Sequence, residues 1–417
     1  MVEFRHDHRY EHQLSWGGAM WTRVAAIIIM FTAWATSAVG QGTERAFDCS
    51  AIQGRLSRDF YEHNRPQVDR FDDTEEWSRA APADENIDET LLRRAAERLD
   101  ASREFKPLSL IVVRNNKLVF EQYFNGATPS SSTNAHSASK SMWGALVGIA
   151  IHEGIIPGLD TTLLALLPQR YSALLDARKR RITIRHLITM SSGLSWVEDK
   201  TEYEVERHRD RVAAILSLQS VAEPGTRFNY STGDAHLVSA AMTEALKLSG
   251  RSGSLCDYAH AKLLAPIGVV AERWLRDPQG YFAGGFGIYM TARELAKFGM
   301  LYANGGKWKS KWVVPQQWVE HSLAPQIQAR AKDSKVPSAY GYDFWLGKLG
   351  ERRLAFAWGH GGQMIYIIRE LNLVVVMTAN TYRTDPDEQE VAKTYEAILR
   401  ECIIPALDTS RRPQCTS

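Results

Sequence analysis

The sequence predicts an α+β fold, an antiparallel sheet flanked by helices with a mainly helical lobe inserted into it. Three observations carry this expectation. Strand-like runs cluster at residues 108–124 and again at 355–378, the stretch between them is patterned mainly as helix, and 417 residues exceed what one core usually holds. A sheet assembled from both ends of the chain, with a helical block between, fits that order. The expected boundaries are 87–136 with 267–405 for the sheet lobe, 137–266 for the helical lobe and 406–417 for a tail. The cleft between such lobes is the natural place for a site.

In chain order, Arg23 precedes an apolar run at 24–35, followed by the small residues Thr36, Ser37, Ala38 and Gly40. A positive residue, an apolar stretch and a small-residue cleavage site make an export signal, expected over residues 1–40, with Met20 a better-proportioned start than Met1. The run is short for a spanning helix. The mature protein is therefore expected in the periplasm or outside the cell, with no stable membrane association once the signal is cleaved. Residues 41–86 are polar, without sustained period, and read as an extension wrapping the body.

Leu91, Leu92, Ala95 and Leu99 recur at helical spacing within 87–99. Residues 108–113 and 118–124 are strand-like and separated by Arg114-Asn115-Asn116-Lys117, where Asn-Asn suits the positive φ of a tight hairpin turn. Met142, Leu146, Ile149 and Ala150 form an apolar helical stripe, and 235–248 is another helix. Thr291, followed three residues later by Glu294 and then by Leu295, Phe298 and Leu301, reads as a capped amphipathic helix. Strand character returns at 355–358, 364–369 and 373–378, and a last helix spans about 388–403.

Composition narrows the function. Hydrophobic content of 44% and charged content of 24% are ordinary for a globular protein, and a net charge of +2 supplies no broad basic field for nucleic acid. The run Arg178-Lys179-Arg180-Arg181 reads as a solvated helix end. Cys49, Cys256, Cys402 and Cys415 allow three disulfide connectivities, and equally allow buried or unpaired thiols. Cys402 with Cys415 would staple the tail, and Cys49 with Cys256 would pin the extension. His152-Glu153 begins like a zinc-protease motif, but Ile156 stands where the second histidine belongs. Neither a metal nor an organic cofactor is expected.

Three motifs carry chemistry. Ser137-Ala138-Ser139-Lys140 is the sole Ser-x-x-Lys of the chain. A serine hydroxyl is a weak nucleophile until a neighbouring base takes its proton, and on a helix Lys140 shares a face with Ser137. Lysine serves as that base only when desolvation or a nearby cation lowers its pKa. Phe228-Asn229-Tyr230-Ser231-Thr232-Gly233-Asp234 places the Tyr230 phenol on a loop ahead of a helix, where it can relay a proton to a leaving group. Trp358-Gly359-His360-Gly361-Gly362-Gln363 precedes a strand. Its glycines permit close approach at a sheet edge, and His360 can donate to a substrate oxygen or to Tyr230. Trp196, Tyr203, Tyr289, Tyr340 and Trp345 are candidate cleft walls.

In this order the motifs resemble the serine β-lactamase and penicillin-binding-protein superfamily, in its class C-like branch, over about residues 108–403. Residues 182–194 and 290–299 add to the match. The resemblance implies a β-lactamase/transpeptidase-like fold, with Ser137 as acyl acceptor, Lys140 as its partner and Tyr230 as the first residue of a Tyr-x-Asn motif. His360-Gly361-Gly362 matches the strand-edge Lys-Thr-Gly, and the backbone N–H groups of Ser137 and Gln363 would form an oxyanion hole. Such donors contribute about 3–4 kcal/mol each to a transition state. Thr232, Gly361, Gly362, Trp196 and Tyr289 are the expected substrate contacts. Thr232 in place of Asn, and His360 in place of Lys, weaken the case for antibiotic hydrolysis. They make 6-aminohexanoate-dimer hydrolase-like and esterase-like members the better comparison, on a small amide or ester. A β-lactamase, a D-alanyl-D-alanine carboxypeptidase and a non-catalytic penicillin-binding sensor are the alternatives.

Overall fold

The computed structural model describes residues 49, 53–55, 77–251, 253–271, 273–329, 337–380, 388–407 and 415. The expected signal segment, 1–40, and most of the 41–86 extension lie outside these residues. Strand β1 is Gln53–Arg55. Helix α1, Glu89–Asp100, starts where the Asp88 side chain accepts from the Thr90 N–H, and it buries Leu91, Leu92, Ala95 and Leu99, the face their spacing predicts. Strands β2 (Lys106–Arg114) and β3 (Lys117–Tyr123) form the expected hairpin. Asn115 and Asn116 turn it with φ of 49° and 65°, which asparagine tolerates better than most residues.

After β4, Ser132–Asn134, a tight turn at His136–Ser139 leads into α2, Lys140–His152. Every residue of α2 from Lys140 to Ala150 is buried, so the apolar stripe read from sequence is part of a helix enclosed on all sides. Short helices follow, among them α3 (Lys200–Glu206), before the long α4 (Thr232–Leu248). Strands β5 (Arg273–Arg276) and β6 (Ile288–Thr291) precede α5, Ala292–Ala303, which carries the anticipated Thr291/Glu294 capping box. Buried Glu294 also accepts from the Val270 and Ala271 N–H groups at 2.7 and 3.3 Å, tying α5 to the end of the helical block.

The chain then forms β7 (Ile327–Gln328), β8 (Pro337–Tyr340), β9 (Trp345–Leu349), β10 (Arg352–Gly359), β11 (Gln363–Ile368), β12 (Leu373–Asn380) and α6 (Glu388–Ile398). The large sheet has the order β3-β2-β12-β11-β10-β9-β8-β7, antiparallel throughout. The late strand β12 lies between early β2 and β11, so the sheet is built from both ends of the chain. A second sheet, β1-β5-β6-β4, pairs β1 with β5 in parallel. Its strands of three or four residues are too short to show a period in sequence, and β8 and β9 likewise went unread.

Two disulfides form, Cys49–Cys256 and Cys402–Cys415. The basic run departs from expectation. Lys179 is buried with its ammonium on the Leu174 carbonyl, and Arg178 and Arg181 both pair with Glu223, so the run is partly anchored and not wholly solvated. The described residues form one compact unit that includes the sheet and the helical block together.

Candidate active site

The turn bearing Ser137 is pinned from below. Asn134 Oδ1 accepts from the His136 and Gly287 N–H groups, each at 2.9 Å. His136 adopts φ of 45°, a left-handed conformation costing a non-glycine residue about 1–3 kcal/mol and held here by its surroundings. Ser137 is half-buried, while Lys140, the first residue of α2, is only 1% exposed.

Three oxygens surround the Lys140 amine. Nζ lies 2.7 Å from Ser137 Oγ, 3.0 Å from Thr232 Oγ1 and 3.3 Å from the Gly285 carbonyl oxygen. A Cβ at Gly285 would fall 3.0 Å from Nζ and 2.7 Å from Thr232 Cγ2, so this approach requires glycine. Burial lowers the Lys140 pKa from the ordinary lysine value, and the carboxylates of Glu198, Glu202 and Asp343 oppose that shift without cancelling it. A lysine with a lowered pKa, 2.7 Å from a serine hydroxyl, meets the geometric requirement for a general base.

Tyr230 stands over this amine, with Nζ 4.9 Å from its ring centroid. The ring stacks on Trp345 at 5.3 Å and meets Tyr340 edge-on at 6.3 Å, while Trp345 in turn reaches Trp358 of β10 at 6.0 Å. An aromatic layer thus props the phenol between the loop before α4 and the large sheet.

The third motif arrives from the sheet. A Cβ at Gly359 would sit 2.3 Å from the Ala135 carbonyl oxygen and 3.2 Å from the Ala138 nitrogen, so the end of β10 presses directly on the turn bearing Ser137. His360 follows, its ring centroid 5.5 Å from that of His136. Burial, then the charges of His360 and Lys140, push the His136 pKa well below its usual value, which keeps that imidazole neutral. Gly361 and Gly362 take φ of 68° and 94°, turning the chain into β11. The Gln363 side chain donates to the Ala379 carbonyl at 2.6 Å and accepts from Thr133 Oγ1 at 3.3 Å, so both ends of its amide are engaged within the sheet.

Ser137, Lys140, Tyr230 and Thr232 are brought together, with Gly359 and His360 against the turn that carries the serine. Several expected substrate contacts are not available as such. The Thr232 side chain is 5% exposed and occupied with Lys140 and Glu198, so it holds the lysine in place of contacting a substrate. Trp196 is buried against Gly233 of α4, where a Cβ would lie 2.6 Å from its ring, and its indole N–H donates to Glu198. Tyr289 is buried in β6 among Leu275, Ala283 and Phe286. Tyr340 is buried beneath Tyr230, and Tyr203 is 55% exposed on α3, where its hydroxyl accepts from Arg207.

Glu198, Gly285 and Asp343 were missed from sequence. Glu198 accepts from the Thr232 hydroxyl, the Thr232 N–H at 3.0 Å and the Trp196 indole at 2.5 Å. Asp343 is buried with Oδ1 unbonded among the described residues, and burial raises its pKa well above the usual carboxyl range. The adjacent glycines Gly284 and Gly285 are the one local signal that marks a close approach. Nothing local marked the two acids.

Comparison with known proteins identifies the family. The family profile described as Beta-lactamase matches residues 92–399. The 6-aminohexanoate-dimer hydrolase of Paenarthrobacter ureafaciens is 27% identical over 327 residues, covering 73% of this chain and 78% of its own length. A solved structure described as a candidate 6-aminohexanoate-dimer hydrolase from Bacillus anthracis superposes with a TM-score of 0.60 at 21% identity, covering 76% of this chain and 83% of that one. The D-amino acid amidase of Ochrobactrum anthropi SV3 superposes with a TM-score of 0.57 at 14% identity, over 78% and 100% of the two chains. With a match spanning most of the sheet, the helical block and the Ser137–Lys140 turn, this chain belongs to the beta-lactamase family.

Proposed function

We propose that the chain hydrolyses an amide or ester bond through an acyl-enzyme on Ser137. The observation that carries this reading is the buried Lys140 amine 2.7 Å from Ser137 Oγ, in surroundings that lower its pKa. As Ser137 Oγ attacks the carbonyl, its proton passes to Nζ. The amine or alcohol then leaves with a proton delivered from Lys140 through the Tyr230 phenol, and water, deprotonated by the same pair, releases the acid. Backbone N–H groups of Ser137 and Gln363 are the proposed oxyanion donors, contributing about 3–4 kcal/mol each.

Open-chain amides and esters are the favoured substrates. Position 360 carries a histidine where a fixed ammonium would attract a β-lactam carboxylate, and the similarity to a 6-aminohexanoate-dimer hydrolase points the same way. Export belongs to the same proposal, supported by the apolar run at 24–35 and by two disulfides, which persist in oxidising compartments.

Ser137→Ala tests the assignment. Labelling by a fluorophosphonate probe is expected to vanish in this variant while the fold persists, and labelling retained at another serine would refute the reading. Continued release of p-nitrophenol after an initial burst distinguishes an enzyme from a sensor that acylates once and stops.

A further inference from the structure

Of the three oxygens around Lys140 Nζ, the Gly285 carbonyl can only accept a hydrogen bond, whereas the Thr232 hydroxyl can either accept or donate. What decides its direction lies one step further out. The Thr232 hydroxyl donates to Glu198 Oε1, while the Thr232 N–H (3.0 Å) and the Trp196 indole N–H (2.5 Å) both donate to Glu198 Oε2. Three donors converge on a carboxylate that accepts at both oxygens. The hydroxyl proton therefore stays on the Glu198 side, and a hydroxyl lone pair faces Nζ.

We propose that Glu198 is a positioning residue for acylation, acting through Thr232 to orient the neutral Lys140 amine. An –NH2 group has two N–H bonds and one lone pair. With the N–H bonds held by Thr232 Oγ1 and the Gly285 carbonyl, the lone pair points at the Ser137 hydroxyl, the one direction in which it can take that proton. After transfer, the new ammonium keeps all three oxygens as acceptors, and the Glu198 charge attracts it. This assignment rests on the Ser137 acyl-enzyme reading.

Glu198→Gln preserves shape and breaks this polarity. If the amide nitrogen faces Thr232, it turns the hydroxyl proton toward Nζ and occupies the lone pair. If it faces Trp196, donor meets donor. The acylation rate constant with a p-nitrophenyl ester is expected to fall about a hundredfold, within the usual range for a disabled general base. The acidic limb of the pH–rate profile should move to lower pH, because the carboxylate that favoured the ammonium is gone. Thr232→Val should cause a comparable loss and Thr232→Ser should recover most of it, which keeps the test intact should Glu198→Gln fail to fold. In the double variant Glu198→Gln/Thr232→Val the loss should not exceed that of Thr232→Val alone. Acylation by Glu198→Gln within about threefold of wild type with an unmoved acidic limb, or losses that multiply, would overturn the proposal. Wild-type protein labelled in parallel separates the two readings: labelling away from Ser137 defeats the hydrolase reading, whereas labelling at Ser137 with an unimpaired Glu198→Gln defeats this one alone.

Discussion

Lys140 is an uncommon residue to find at the start of a helix enclosed on every side. An ammonium placed there loses its hydration, and three neutral oxygens replace only part of it, so the amine titrates below the ordinary lysine value of 10.5. As a base, Lys140 must be unprotonated. Acylation is therefore expected to rise with pH as its proton leaves, with an acidic limb centred below 10.5, read from stopped-flow acylation across a pH series. A limb at or above that value would remove the reason for burying the amine. Lys140→Ala should slow acylation by about 10²–10⁴-fold while leaving the thermal transition cooperative, and a near-wild-type rate would contradict the role. The same scale explains His136: buried, neutral and strained, it shapes the turn before the nucleophile without adding a competing cation.

At the scale of elements, three pieces of chain meet at one amine and a fourth braces the turn beside it. The turn at His136–Ser139 and the start of α2 bring Ser137 and Lys140, the loop before α4 and its first residue bring Tyr230 and Thr232, the end of β10 packs against the Ser137 turn, and the segment before β6 brings Gly285. Asp234, in the first turn of α4, ties this arrangement to the helical block by accepting from Ser192 Oγ at 2.7 Å and from the Ser192 N–H at 3.3 Å. Gly285 is the junction that lies directly against the amine. Gly285→Ala forces a methyl group to within 3.0 Å of Nζ and 2.7 Å of Thr232 Cγ2. Such overpacking costs about 1–3 kcal/mol, and the displaced amine should slow acylation by about tenfold or more. A thermal melt and a burst measurement on one sample check both, and an unchanged rate would mean that the third oxygen is dispensable.

For the whole molecule, the two disulfides close loops of very different length. Cys49 and Cys256 are 207 residues apart, Cys402 and Cys415 only 13. On the chain-entropy account the longer loop stabilises more, about 5 against about 3 kcal/mol. Cys49→Ser/Cys256→Ser should therefore lower the melting temperature more than Cys402→Ser/Cys415→Ser, as read by calorimetry, and the reverse order would show that the extension is held by other contacts. Neither bond touches the Ser137 turn, so burst amplitude should survive both changes at temperatures where the protein stays folded.

Sequence alone determined what local patterns encode: the amphipathic helix α1, the capped helix α5, the Asn115-Asn116 hairpin, the central strands of the large sheet, and Ser137, Lys140 and Tyr230 as candidates. Each is marked by spacing or residue type within a few positions along the chain. Glu198 and Asp343, the buried setting of Trp196 and Tyr289, and the engagement of Thr232 with the lysine were decided only by tertiary structure. A carboxylate in a loop reads the same whether it faces water or the far side of a helix start. Its meaning depends on partners 34 residues away in the case of Glu198 and Thr232, and on a dielectric that exists only after the core has closed.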